Sequence, residues 1–250
     1  MAELTACGVV VTGAGQGLGR GIAAALAARG GHIAVLDINE ASAADTVWMI
    51  KDAGGSAWST RMDVTDEGEV GSAIGWAADT LGGIDLVVNA AGVLSVAPVV
   101  DLEAREWRRV LEVNATGAFL VSRAAARMMI EAGRPASIVS IGSIAGKIGE
   151  PGLAHYAASK FALVGFTQAL ARELAPHDIT VNAVCPGVVI TPMIEELSAQ
   201  WQVSIDGMLA QQAIRRPQSA EDIALAIAFL HTCRSVTGQA INVDGGTVFC

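Results

Sequence analysis

The sequence predicts an α/β protein built on a single doubly wound, mainly parallel sheet of seven strands, with helices on both faces. Three observations carry this prediction. Short runs rich in Val and Ile alternate with longer Ala-rich segments along all 250 residues. The first such run passes through a glycine-rich turn directly into a helical stretch. Finally, 52% of the residues are hydrophobic and 16% charged, yet no apolar run approaches the ~18–20 residues of a membrane-spanning helix. The hydropathy lies in many short segments broken by Gly or a charge, as in strands buried on both faces.

The elements follow in order. Val9-Val10-Val11 reads as a strand and residues 18–29 as the helix after the turn. A second strand, residues 33–36, ends at Asp37, and a helix over 41–53 is closed by Gly54-Gly55. Further strand signals fall at 56–61, 84–88, 137–140, 179–184 and 240–243, with a long helical stretch near 103–132 and another near 153–174. Helix-length crossovers between strands imply parallel pairing. No Pro/Ser linker or shift in composition divides the chain, so residues 1–250 are expected to form one domain. Pro192 and Pro217 bracket an irregular stretch within 188–218. An insert after a late strand is placed to cover a ligand at the carboxyl edge of the sheet.

Charge and cysteine content narrow the function. The 16 Lys and Arg against 25 Asp and Glu give a net charge of −9, and no basic stripe is present. Nucleic acid and anionic membranes are therefore not expected as partners. Cys7, Cys185, Cys233 and Cys250 show no C-x-x-C or His/Cys ligand spacing, and the four histidines form no H-E-x-x-H. Reduced thiols and no metal site are expected. The N-terminus lacks a basic head, apolar stretch and small-residue cleavage site, so a cytoplasmic protein is expected.

Thr12-Gly13-Ala14-Gly15-Gln16-Gly17-Leu18-Gly19 follows the first strand. Glycines there allow a tight turn and let the backbone approach a pyrophosphate at a helix N-terminus. A purely structural turn is the plain alternative, but the strand before, the helix after and Asp37 at the close of the second strand favour a dinucleotide. An acid at Asp37 accepts hydrogen bonds from the ribose hydroxyls and repels a 2′-phosphate. Neither Leu36-Asp37-Ile38-Asn39 nor Gly15-Gln16 supplies a cation for that phosphate. NAD is the expected cofactor.

The spacing Gly13-x-x-x-Gly17-x-Gly19 after a Thr resembles the short-chain dehydrogenase/reductase family, and the resemblance covers essentially the whole chain. It implies a Rossmann-type fold, with Gly13, Gln16, Gly17, Leu18, Gly19, Asp37 and Ile38 at the cofactor. Asp63-Val64 is similar to the family's adenine contact. Asn89-Ala90-Ala91-Gly92 resembles its N-N-A-G turn behind the cofactor, with Ala90 in place of the second Asn. Asn89, Ala91 and Gly92 are thus implied as cofactor contacts, with only a local packing change. Pro186-Gly187-Val188-Val189-Ile190-Thr191 resembles the P-G-x-x-x-T segment, implying Pro186, Gly187, Val189 and Thr191 along the nicotinamide.

Tyr156-Ala157-Ala158-Ser159-Lys160 places the only Tyr of the chain four residues before a Lys. On a helix these share a face, and a Lys charge beside the phenol would lower its pKa toward the working range. A surface Lys beside a core Tyr is the plain alternative. Ser143, thirteen residues before Tyr156, has the family's spacing, and Asn114 in Val113-Asn114-Ala115 matches its helix Asn. The resemblance then implies a catalytic set of Asn114, Ser143, Tyr156 and Lys160. Tyr156 exchanges a proton with the substrate oxygen held by Ser143 as hydride moves to or from the nicotinamide. Lys160, also a cofactor contact, positions the ribose and relays the proton through a water held by Asn114.

Residues 156–193 are most similar to acetoin/butanediol and polyol dehydrogenases, departing at Ile194, often Trp there, and at Glu150, an Asn in some. Candidate substrate contacts are Ser143, Ile144, Ala145, Tyr156, Gly187, Val188 and Met193, with Leu94 nearby and Trp201 on the lid. This apolar list suits a small neutral secondary alcohol: a diol, polyol or hydroxyketone. A 3-oxoacyl-thioester reductase of the same family and an NAD(H)-binding sensor without turnover are the alternatives. Apolar residues on more than one face of the two long helices, and an apolar tail ending in Phe249-Cys250, predict a homo-oligomer, most simply a tetramer with two-fold axes.

Overall fold

The computed structural model describes residues 4–249. Seven strands, β1 (Gly8–Thr12), β2 (His32–Asp37), β3 (Ser56–Arg61), β4 (Leu86–Asn89), β5 (Ala136–Ile141), β6 (Ile179–Pro186) and β7 (Ala240–Val243), form one sheet. Its order is β3-β2-β1-β4-β5-β6-β7, and every pair is parallel. The fold is the predicted Rossmann-type sheet. Strand order reverses between β1 and β4, and such a switch point opens a crevice at the carboxyl ends of the strands.

Alternation along β1 shows how both faces are filled. Val9 and Val11 pack with Ile22, Leu26 and Ile223 on one side, and Val10 packs with Ile74, Val121 and Ile138 on the other. The first layer is carried by α1 (Gly17–Ala27), α2 (Glu40–Asp52) and α9 (Ala220–Thr232); the second by α3 (Glu67–Leu81), α5 (Gly117–Ala132) and α6 (Ala154–Leu174). Asp66 caps α3 by accepting from the Glu69 amide. Ser219 and Asp222 form a capping box on α9.

Three departures from the sequence reading bear on the core and the site. β4 starts at Leu86, and just before it Asp85 still bonds β1, its amide donating to the Gly8 carbonyl at 2.8 Å and its carboxylate accepting from the Gly8 amide at 2.7 Å. β6 runs two residues further than predicted, so Cys185 and Pro186 pair with Asn242 and Val243 of β7. The long helix near 103–132 is interrupted: α4 (Ala104–Leu111) passes through a π-helical turn, Glu112–Thr116, before α5. Gly117 packs so tightly that a Cβ there would lie 2.7 Å from Val64. Residues 188–218 carry two short helices, α7 (Pro192–Trp201) and α8 (Ile205–Leu209). Thr191 caps α7 with Pro192 in its first turn.

Candidate active site

The glycine turn is built by close approach. Thr12 Oγ1 accepts from the Ala90 and Ala91 amides at 3.1 and 3.2 Å, joining β1 to the turn after β4. Gly13, at φ +62°, leaves so little room that a Cβ would lie 2.5 Å from Ala91 Cα. At Gly19 a Cβ would meet the Gly13 carbonyl oxygen at 2.2 Å. α1 opens with no side-chain cap, so its first amides are left for a ligand anion. Gly17 faces the Thr191 side chain across the cleft, at 3.9 Å from its would-be Cβ. A glycine cradle, free helix amides and a terminal acid fit a dinucleotide.

At the end of β2, Asp37 accepts from the Gly15 amide at 2.8 Å and from the Asn39 amide at 2.9 Å. Arg20 fastens this corner by donating to Thr46 Oγ1 at 3.0 Å and to the Gly15 carbonyl. From Asp37 and Ile38, a cleft of about 690 Å³ runs over the turn to Tyr156 and the lid. Every predicted cofactor and substrate contact lines it except Asn89.

Asn89 stands behind the cleft wall. It is buried, and its amide nitrogen donates to Ser122 Oγ at 2.9 Å and Ser140 Oγ at 3.2 Å. Its side chain therefore ties β4 to α5 and β5 behind the cleft. Asn114 is also set back from the cleft wall. Its Oδ1 accepts from the Val93 amide at 2.8 Å, and its Nδ2 donates to the Val93 carbonyl at 2.9 Å and to Ser159 Oγ at 3.0 Å. With both amide protons used, the side chain braces the wall near Gly92.

Ser143, Tyr156 and Lys160 converge. Ser143 stands after β5 at the start of a short 3-10 turn, its Oγ accepting from the Ala145 amide at 3.1 Å and bonding the Tyr156 phenol. Lys160 Nζ lies 5.5 Å from the Tyr156 ring centroid and donates to the Ile141 carbonyl at 2.8 Å. Both side chains are buried. Burial pushes the phenol up to about 12, with Ser143 acting in the opposite direction. Burial likewise brings the Lys160 ammonium down to about 8. Desolvation is the largest influence on the phenol and raises it, so the lowering that the sequence leads one to expect from Lys160 is not seen among the chain's own groups.

Around Tyr156 the walls are apolar: Ala145, Leu153, Val188, Leu197 and Met208 form a cluster with Leu94, Ile194 and Trp201. Met193 and Trp201 both line the cleft, and the Trp201 indole reaches to 3.6 Å from the would-be Cβ of Gly152. Sequence reasoning missed several lining residues, among them Arg109, Glu112, Leu153, Met208, Gln211 and Thr247. Pro192 after Thr191 signalled α7, and Ser204 in Ser-Ile-Asp-Gly-Met-Leu was a legible cap for α8, which supplies Met208. Arg109 and Gln211 carried no local signal.

A doubly wound sheet, a glycine-cradled cleft at its switch point and a Ser–Tyr–Lys cluster beside that cleft define a nucleotide-dependent oxidoreductase class. The family model for short chain dehydrogenases matches residues 8–202, and the chain belongs to that family. It is 40% identical over 253 residues to the L-2,3-butanediol dehydrogenase of Corynebacterium glutamicum, covering 96% of this chain and 98% of that protein. It is 37% identical over 252 residues to a 3-oxoacyl-[acyl-carrier-protein] reductase of Synechocystis sp., with 99% of each covered. The crystal structure of a short-chain type dehydrogenase/reductase from Mycobacterium marinum superposes with a TM-score of 0.91 at 32% identity, covering 99% of this chain and 98% of that one. The family uses NAD or NADP, and the chain is accordingly a nicotinamide-dependent oxidoreductase. Among the described residues no helix is long and apolar enough to cross a membrane.

Proposed function

We propose that this chain is an NAD-dependent dehydrogenase that interconverts a small neutral secondary alcohol and its ketone. The observation that carries the reading is the pairing of two ends of one cleft: Asp37 at the adenosine end, and Ser143, Tyr156 and Lys160 inside apolar walls at the other. One domain would hold the whole site, with residues 188–218 as its lid. The nicotinamide, when bound, exchanges the hydride and in its oxidised form adds a positive charge near the phenol. Ser143 then holds the substrate oxygen. Tyr156, kept protonated by burial, is ready to donate to a carbonyl oxygen in the reducing direction and receives the proton back in the other. Lys160, buried within 5.5 Å of the ring centroid, orients the ribose and adds cationic charge that favours the phenolate.

The similarity to an acyl-carrier-protein reductase favours a second reading, a 3-oxoacyl-thioester reductase. Asp37 and the acid Glu150 on the cleft wall speak against a phosphorylated cofactor and an acidic carrier. We also propose a homo-oligomer, a tetramer in its simplest form. Phe119 and Phe161 on the outer faces of α5 and α6, and Phe229 on α9, are exposed, and Phe249 is 88% exposed. Cys250, the other end of the predicted tail, lies outside the described residues.

Initial rates with NAD and NADP against 2,3-butanediol, polyols, aryl alcohols and a 3-hydroxyacyl thioester test the function. NAD with a small neutral alcohol should give the highest kcat/KM. Highest turnover of the thioester with NADP would overturn the proposal in favour of the second reading.

A further inference from the structure

Outside the catalytic residues, a polar cluster beside the site joins three elements. His155, directly before Tyr156 on α6, is 0% exposed. Its Nε2 lies 2.8 Å from Ser95 Oγ, and Ser95 donates to Glu106 Oε1 on α4 at 2.6 Å. Arg109, one turn further along α4, closes the chain by donating Nε to Glu106 Oε2 at 2.8 Å and NH2 to Oε1 at 2.7 Å. Arg109 holds the Glu106 carboxyl down at about 2, so Glu106 is an anion at any working pH.

Hydrogen-bond accounting fixes the proton on His155. A serine hydroxyl has one proton, and here it goes to the carboxylate. The 2.8 Å contact to Nε2 is then a hydrogen bond only if Nε2 carries a proton and donates to Ser95. Nδ1 is left as a bare acceptor, and it has no hydrogen-bond partner among the described residues. An orphaned buried atom is a cost that fold stability alone does not explain.

Residues 93–97 show what the Nε2 bond holds in place. They run alongside the substrate end of the cleft and are pinned at alternate positions. Val93 is held by Asn114 through both its amide and carbonyl, Ser95 by His155 and Glu106, and the Ala97 amide donates to the Gly152 carbonyl at 3.0 Å. The residues between the pins, Leu94 and Val96, pack into the apolar cluster around Tyr156. We infer that His155 is a positioning residue: through Ser95 it fixes the 93–97 wall to the helix that carries Tyr156, and so sets where the substrate's apolar part lies relative to the phenol. This rests on the proposed function for its kinetic consequence, but the wall itself is a property of the protein without ligand.

The test uses the full-length protein and the variants S95A, H155L, H155N and H155Q. A Gln amide can reach the place of Nε2 and donate to Ser95; an Asn amide corresponds to Nδ1 and cannot. Two readouts are taken: amide hydrogen exchange of residues 93–97 without ligand, and kcat and KM for 2,3-butanediol at saturating NAD. S95A, H155L and H155N should exchange about tenfold faster over 93–97 and raise KM roughly three- to tenfold, with NAD affinity unchanged. H155Q should restore both. Should H155L fail to fold, S95A and H155Q carry the comparison. Unchanged exchange and KM in S95A, or an H155Q indistinguishable from H155N, would overturn the inference. A wild-type protein that turns over no alcohol in the panel defeats the proposed function instead, and the exchange data still decide on the wall.

Discussion

The Gly15 amide donates to the Asp37 carboxylate at 2.8 Å, and a Cβ on Gly15 would lie 2.7 Å from that carboxyl carbon. The glycine turn after β1 and the acid that ends β2 are thus one rigid corner. Gly15→Ala should displace Asp37 and weaken NAD binding by about tenfold or more, read by titration of NADH fluorescence, with little change in the fold by circular dichroism.

Asp37 itself should set cofactor choice. The wild-type protein is expected to prefer NAD clearly over NADP. Asp37→Ala combined with Ile38→Arg should shift preference toward NADP, because it removes the repelling charge and supplies a cation for the 2′-phosphate. Equal kcat/KM for both cofactors in the unmodified protein would refute the role of Asp37.

Lys160 makes a pH-dependent contribution whose sign can be worked out. Its pKa falls from an ordinary 10.5 to about 8 on folding. Between those values the unfolded chain binds more protons than the folded one, so stability rises with pH across that window. Tyr156 acts oppositely above its ordinary value of 10.0, because its folded pKa is raised to about 12. The Tm of the wild type minus that of Lys160→Met should therefore increase from about pH 8 to pH 10, and a flat difference would contradict the buried ammonium.

Much of this was readable in the sequence, for reasons that can be named. Gly13 and Gly19 stand where backbone contacts of 2.5 and 2.2 Å exclude any side chain, so residue type and geometry imply each other. Strands buried on both faces announce themselves as unbroken Val/Ile runs. The π-helical turn at Glu112–Thr116 was invisible because no local residue pattern marks it, and Gly117 just after it packs against Val64, a residue brought near only by the fold. The direction of the Asn89 side chain was not legible because an Asn at a strand end can turn toward the cleft or away from it, and here Ser122 and Ser140 draw it away. The Tyr156 pKa ran opposite to expectation because desolvation is a tertiary property. Ser95 and His155 are separated by 60 positions and share no motif.

Assembly offers an independent check. Phe161 is 48% exposed on α6, close to the Phe119–Phe166 edge-to-face pair bridging α5 and α6. If copies of the chain pack through this face, Phe119→Glu with Phe161→Glu should reduce the assembly by light scattering at micromolar concentration, while NAD binding per subunit persists. A wild-type particle of about 25 kDa, the mass of one chain, would refute the oligomer.

The central claim is that Tyr156 exchanges the proton that accompanies hydride transfer, and Tyr156→Phe tests it with the least disturbance of the fold. The ring packing is kept and only the phenolic oxygen is lost. With 2,3-butanediol and NAD, turnover followed by NADH absorbance should fall by ~10²–10⁴, with NAD affinity changed little. Turnover within a few-fold of the wild type would contradict the account.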